Sequence, residues 1–162
     1  MGIDPGLTAT GWGVVRKTGR KISYVDSGKI PSRSTQRMGE RLKQIFVQLQ
    51  EIAGKYQVEC CAVESGFVGK SAQSALKLGQ ARAAAVLSLE LAGIPVQDLS
   101  PREVKQAITG RGSAAKEQVG YMVERMLSIK FDKGEEDISD ALAIALCMAM
   151  SRVRDKRLAA AI

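Results

Sequence analysis

An α/β domain built on a mixed sheet with helices on both faces is the architecture this sequence predicts, on three observations. Strand-like segments open the chain, helical and strand-like segments alternate after them, and the last long segment is apolar nearly all round, as a helix buried against a sheet must be. With 162 residues, 45% of them hydrophobic, the chain can bury one sizeable core. A single domain over residues 1–150 and a basic tail over 151–162 are therefore expected.

Trp12–Arg16 and Ile22–Ile30 are rich in Val, Ile and aromatic residues and are separated by the polar turn Lys17–Lys21 with Gly19, which reads as the opening of a meander. Only Met1, Gly2 and Ile3 precede Asp4, so any first strand is very short. Met38, Leu42, Ile45, Phe46, Leu49, Ile52 and Ala53 recur at intervals of three and four, the mark of a surface helix that ends near Gly54. Cys60–Glu64 suits a short buried strand. A helix from Ser71 to Leu91 carries Ala75, Gly79, Ala83 and Leu87 at four-residue spacing, a stripe of mostly small side chains that admits a close neighbour, either the protein's own sheet or a second copy of the helix. Ile94–Val96 reads as a brief strand, and Ser100-Pro101 opens a helix. After the loop Gly110-Arg111-Gly112, Ser113 is placed to cap a helix whose inward face is Val119, Met122, Val123, Met126 and Leu127. The last helix runs from about Asp137 to Met150.

Lys and Arg number 24 against 17 Asp and Glu, a formal charge of +7, which favours a polyanionic partner such as nucleic acid or else serves solubility. The tail from Ser151 to Arg157 holds four basic residues and one acid, so more than half of the excess lies elsewhere. Cys60, Cys61 and Cys147 sit in apolar runs and read as reduced core thiols, which points to the cytoplasm. The apolar stretch Ile138–Met150 is too short to span a bilayer, so no membrane association is expected.

Four carboxylates carry the chemistry. Asp4 precedes the Pro5-Gly6 turn at a strand end, where an Asx-turn role is the plain alternative. Glu64 ends the apolar run Cys60–Val63, where an unpaired charge is costly and a buried ion pair is the alternative. Asp137 and Asp140 lie three apart, about 60° of helical rotation, so both can face one point from the first turn of the last helix, although complementing the helix dipole would also place acids there. With no histidine in the chain, these are hard oxygen donors suited to Mg²⁺ or Mn²⁺. Two such ions can activate water and stabilise the entering and leaving oxygens of a phosphodiester.

The segments Gly2-Ile-Asp-Pro-Gly6, Glu64 with Phe67 and Lys70, Ser74-Ala-Leu-Lys-Leu-Gly-Gln-Ala-Arg82, and Asp137-Ile-Ser-Asp-Ala-Leu-Ala-Ile-Ala145 occur in this order, and together they closely resemble the bacterial RuvC Holliday junction resolvases. The resemblance spans about residues 2–150. It implies a ribonuclease H-like (retroviral integrase superfamily) fold with a five-stranded mixed sheet, a homodimer, and Mg²⁺-dependent cleavage of four-way DNA junctions by paired nicks, with Mn²⁺ as a substitute ion. It also implies association with a branch-migration helicase complex in recombination and repair. Carried over by motif, Asp4, Glu64, Asp137 and Asp140 would be the metal-binding catalytic acids. Phe67 would stack on an unpaired base at the opened junction, an interaction worth roughly 1–3 kcal/mol per base, and Lys70, Lys105 and Lys116 would contact DNA. Lys116 also lies in the first turn of a helix after a Gly-rich loop, where a phosphate is favoured.

Three departures bear on these expectations. Some members carry histidine where Asp137 stands, so no role that needs an imidazole applies here. The family usually has a few more apolar residues before Gly2, and Ser65-Gly66 replaces bulkier residues before Phe67. Three rivals have different signatures. The Asp4–Gly13 segment, with Thr8 and Thr10, also resembles the phosphate loop of actin-like sugar kinases, which need two such domains. A non-catalytic DNA-binding module would need only the basic balance, and a nuclease of RNA hybrids would share the carboxylates without a use for Phe67.

Overall fold

The computed structural model describes residues 1–6, 8–65 and 71–151. Five strands form one sheet: β1 (Gly2–Asp4), β2 (Ala9–Thr18), β3 (Lys21–Pro31), β4 (Cys61–Glu64) and β5 (Val96–Leu99), in the order β3-β2-β1-β4-β5. The β1–β2 and β2–β3 pairs are antiparallel, and the β1–β4 and β4–β5 pairs are parallel, so the sheet is mixed as expected. The hairpin strands outrun the hydrophobic segments that signalled them. Pairing continues through Arg16–Thr18 to a tight turn in which Gly19 takes φ +60, because an exposed strand end needs only backbone partners.

Helices α1 (Met38–Lys55) and α2 (Ala72–Leu91) cover one face of the sheet. Their core with it includes Ile3, Val14, Ile30, Ile45, Leu49, Val63, Ala85 and Leu89. On the other face α3 (Pro101–Thr109), α4 (Lys116–Leu127) and α5 (Glu136–Met150) pack with Ala62, Leu99, Val104, Val123, Leu142 and Ile144. Helix α5 is buried continuously from Ile138 to Cys147 except at Asp140, which the all-round apolar sequence required. Among the described residues no helix is long and apolar enough to cross a membrane.

Two expected boundaries are displaced. The strand expected at Ile94–Val96 lies at Val96–Leu99, because Ile94 belongs to the stop signal of α2. Gly93 takes φ +76, the Ile94 N–H donates to the Leu89 carbonyl, and the Ile94 side chain folds back into the core. Ser113 does not cap α4: the cap residue is Ala115, whose N–H donates to the Gln118 side chain at 3.2 Å, and Lys116 is the first helical residue. The other cap stands as expected, with Ser100 and Glu103 forming a reciprocal box ahead of Pro101.

The closeness of α5 to the sheet depends on glycines. A Cβ at Gly2 would fall inside contact distance of the Ala141 carbonyl oxygen and the Ala145 amide nitrogen, and one at Gly11 would strike the Asp137 carbonyl. A Cβ at Gly13 would stand 2.6 Å from Leu142 Cδ2. These three residues, on two adjacent strands, form a bare track that lets the helix backbone rest on the sheet. The expected tail beyond Ser151 lies outside the described residues.

Candidate active site

Strand parity decides where the first two carboxylates point. Ile3 and Val63 are register partners on the parallel strands β1 and β4 and enter the core under α1 and α2. Their successors Asp4 and Glu64 therefore project on the α5 side, next to each other at the carboxyl ends of the two strands. This edge of a parallel pair is where open α/β sheets place ligands. Over it lies the first turn of α5, carrying Asp137 and Asp140, so four residues from three separate parts of the chain meet at one place.

Each α5 carboxylate is held by a lysine from a different element. Lys116 Nζ, at the start of α4, lies 2.5 Å from Asp140 Oδ2. Lys29 Nζ, on β3, lies 3.3 Å from Asp137 Oδ2 and donates to the Gly134 carbonyl in the turn before α5. The carboxylates of Asp4 and Glu64 make no ion pair within the described residues.

The electrostatics follow from this crowding. Burial, then the negative charges of Asp140, Glu64 and Asp137, push the Asp4 carboxyl up to about 7, with Lys116 offsetting only part. Glu64 is raised by burial and by Asp140 against the opposing Lys116 and Lys105. Asp140 is raised by burial, with its hydrogen bond and ion pair to Lys116 working the other way. Burial lowers Lys116, but its bond to Asp140 and the surrounding acids outweigh that, so it stays charged more firmly than an ordinary lysine. The cluster thus holds a proton preferentially on Asp4, its most enclosed member, and more negative charge than its own lysines neutralise.

This gives a pH test with a definite sign. The folded protein keeps a proton on Asp4 up to about pH 7, which the unfolded chain releases near 3.8, so ionising Asp4 costs stability progressively as pH rises through that window. In chelator-treated protein Asp4→Asn is expected to raise the unfolding free energy at pH 8 by roughly 2–4 kcal/mol. Urea unfolding at pH 5 should show less than half of that gain. A gain independent of pH would exclude enclosure and repulsion as its cause.

The donor set fits a hard divalent cation in chemistry: carboxylate oxygens alone, two of them unpaired, and an excess of negative charge that a cation relieves. Within the described residues no three Asp, Glu or Cys side chains stand at the spacing of a ready-made cation site, and Asp137 and Asp140 are paired with Lys29 and Lys116.

All four sequence-selected carboxylates and Lys116 meet at this edge, and Lys105, on α3, is near enough to act on Glu64. Phe67 and Lys70 lie outside the described residues. Two participants were missed. Gly11 provides the clearance for Asp137, and Lys29 is its cross-strand partner. Antiparallel pairing of the two hairpin strands would have placed Lys29 on the Asp137 side only if the register had been known, and the bulge between Val14 and Val15 hides it from a simple count.

Comparison with known proteins identifies the family of the chain. The family model described as "Crossover junction endodeoxyribonuclease RuvC" matches residues 1–148. The protein of that name from Citrifermentans bemidjiense is 46% identical over 151 residues, covering 93% of this chain and 92% of that one. Its counterpart from Parvibaculum lavamentivorans is 43% identical over 162 residues, covering all of this chain and 92% of the other. The structure of Thermus thermophilus RuvC in complex with a Holliday junction substrate superposes with a TM-score of 0.84 at 36% identity, over 91% of this chain and 90% of that one. Because the family model covers nearly the whole chain, relatives of that name share more than 40% of its residues, and its mixed five-stranded sheet superposes on a RuvC structure of ribonuclease H-like fold, the chain belongs to the RuvC family of crossover junction endodeoxyribonucleases.

Proposed function

We propose that this protein resolves four-way DNA junctions as a Mg²⁺-dependent homodimer, in recombination and repair, with Asp4, Glu64, Asp137 and Asp140 as the catalytic, metal-holding acids of each protomer. The observation that carries the reading is the convergence of these carboxylates at the carboxyl edge of β1 and β4, beneath the first turn of α5. Bound there, one or two Mg²⁺ ions, or Mn²⁺ in their place, would supply charge neutralisation and an activated water. Asp4 and Glu64 provide the fixed floor of the site because their strands are locked in parallel register. Asp137 and Asp140, now paired with Lys29 and Lys116, would provide its roof and would help hold such an ion. Lys116 and Lys105, both near enough to act on Glu64, are assigned the contact with a DNA phosphate beside the site. Phe67 and Lys70, in the segment after Glu64, are assigned the stacking on an opened base and a further backbone contact.

The membership of the family in crossover junction nucleases makes the substrate test direct. Purified protein with Mg²⁺ is expected to nick a synthetic four-way junction symmetrically on two strands and to leave a linear duplex of the same sequence intact. Equal cutting of both substrates, or cutting in excess chelator, rules this reading out. A cytoplasmic location and an association with a branch-migration helicase belong to the same proposal.

The dimer is supported by the outer face of α2. Ala75, Gly79, Ala83 and Leu87 do not face the sheet; that side of the helix is formed by Ala81, Ala85, Ser88 and Leu89. The stripe lies outward, where a Cβ on Gly79 would meet nothing within 4 Å. Leu87 in the stripe is 54% exposed, and Leu76 and Leu91 on the same helix are 65% and 67% exposed, an apolar strip on a charged protein. One protomer carries one carboxylate cluster, and two symmetric cuts need two, which a two-fold dimer provides with one kind of interface. Gly79→Leu is expected to shift sedimentation toward the monomer and to separate the paired cuts into single nicks, without lowering the unfolding temperature of the monomer. An unchanged dimer would move the interface elsewhere.

A further inference from the structure

Lys29 is the participant in the site that neither its residue type nor its motif context announced. In the β2–β3 register it stands opposite Gly11, so its side chain rises on the same face of the sheet, where the missing Cβ of Gly11 makes room for Asp137. Its ammonium group donates to the Gly134 carbonyl and lies 3.3 Å from Asp137 Oδ2. Among the described residues Lys29 is the one cation paired directly with Asp137, while Lys116 acts on Asp137 and Glu136 from its place beside Asp140. The cap residue of α5, Glu135, makes no side-chain bond to the helix end and accepts instead from the Asp132 N–H, and Glu135, Glu136 and Asp137 follow one another. Asp140, one turn on, already has Lys116.

We infer that Lys29 is the internal counter-cation of Asp137, a positioning residue that holds this carboxylate in the metal-free protein and competes with a divalent ion for it. The inference rests on the reading of Asp137 as a metal-holding acid. Lys29 thereby weakens divalent-ion binding by the DNA-free protein and helps to confine a charged site to the DNA-bound state, where phosphate supplies the negative charge that lets the lysine be displaced.

Two effects of removing Lys29 oppose each other, and their sizes decide the sign. Loss of a partly exposed tether loosens Asp137 and weakens ion binding by at most about fivefold. Removing an ammonium that must otherwise share one carboxylate with a dication relieves a repulsion of about tenfold or more even at the dielectric of water. Net tightening is the consequence.

Mn²⁺ titration of the full-length DNA-free protein, read from the electron paramagnetic resonance signal of unbound Mn²⁺ at constant ionic strength, tests this. Lys29→Met is expected to bind about three- to tenfold more tightly than the wild type, and Lys29→Arg to bind like it. Lys29→Gln, which keeps a donor for the Gly134 carbonyl but no charge, should match or exceed Lys29→Met, and it keeps the test open if the methionine variant folds poorly. Adding Asp137→Asn to Lys29→Gln should abolish the gain. Equal or weaker binding by both neutral variants overturns the role of Lys29, while Asp137→Asn alone still weakens binding and the metal reading stands. If Asp137→Asn leaves Mn²⁺ binding untouched in every background, the assignment of Asp137 itself fails and the inference falls with it.

Discussion

Asp140→Asn is expected to lower the single-turnover rate of junction cleavage by about 10³ or more, while junction binding in chelator stays the same or tightens. The substitution keeps the shape of the side chain and removes one charged carboxylate oxygen, a proposed metal donor, from the cluster. Asp140 raises both Asp4 and Glu64 through its charge, so its loss also lessens the repulsion that the remaining acids exert on a phosphate. Lys116, released from its pair with Asp140, gains freedom to meet DNA. Binding and chemistry should therefore move in opposite directions, which a misfolded variant would not do. Cleavage within tenfold of the wild type in Mg²⁺ would exclude Asp140 from the catalytic set.

Gly2→Ala should be among the most destabilising single-methyl additions in the molecule. The added Cβ would meet backbone atoms of Ala141 and Ala145, which cannot rotate away as the end of a side chain could. Relief requires moving α5 off β1, and α5 is the helix with the longest buried run. A loss of about 3 kcal/mol is expected, or roughly 6–12 °C in unfolding temperature for a chain of this size. Cleavage should fall further than stability alone explains, because the same displacement lifts Asp137 and Asp140 away from Asp4 and Glu64. Gly54→Ala is the control: that glycine lies in α1 with nothing within 4 Å of the added carbon, so the change should gain about 0.5–1 kcal/mol from helix propensity. If thermal unfolding ranks the two variants equally, the close approach of α5 to the sheet is wrong.

The glycine track also explains an early puzzle of the chain. A first strand of three residues, Gly2–Asp4, is short for the centre of a sheet, yet it occupies the middle position, flanked by β2 and β4. Its place is secured from above and from both sides. Ile3 is fully buried under α1 and α2, Gly2 is in contact with α5, and the terminal ammonium of Met1 donates to the Cys60 carbonyl at 2.9 Å.

What the sequence determined by itself is what periodicity and residue chemistry encode locally. The spacing of Ile45, Leu49 and Ala53 marked the buried side of α1, the Ser100-Pro101 signal marked the start of α3, and the unbroken apolar run after Asp140 marked a helix enclosed on all sides. Of the four acids, Glu64 was legible because a carboxylate at the end of an apolar run is expensive to leave without a purpose, Asp137 and Asp140 by their three-residue spacing, and Asp4 by its place before the Pro5-Gly6 turn, while the motif resemblance joined them into one set. What tertiary structure alone decided depends on register and approach. The direction of the Gly79 stripe, outward rather than onto the sheet, follows from Ala81, Ala85 and Leu89 filling the inward side, and small residues give no sign of which face they occupy. Ile94 reads as strand until its N–H is seen to close α2. Lys29 becomes part of the site only when β3 pairs with β2 and brings it opposite Gly11, eighteen residues away along the chain and 108 before its partner Asp137. Such a contact leaves no mark in local composition, because its energy exists only after the sheet has paired and α5 has settled on its bare glycines.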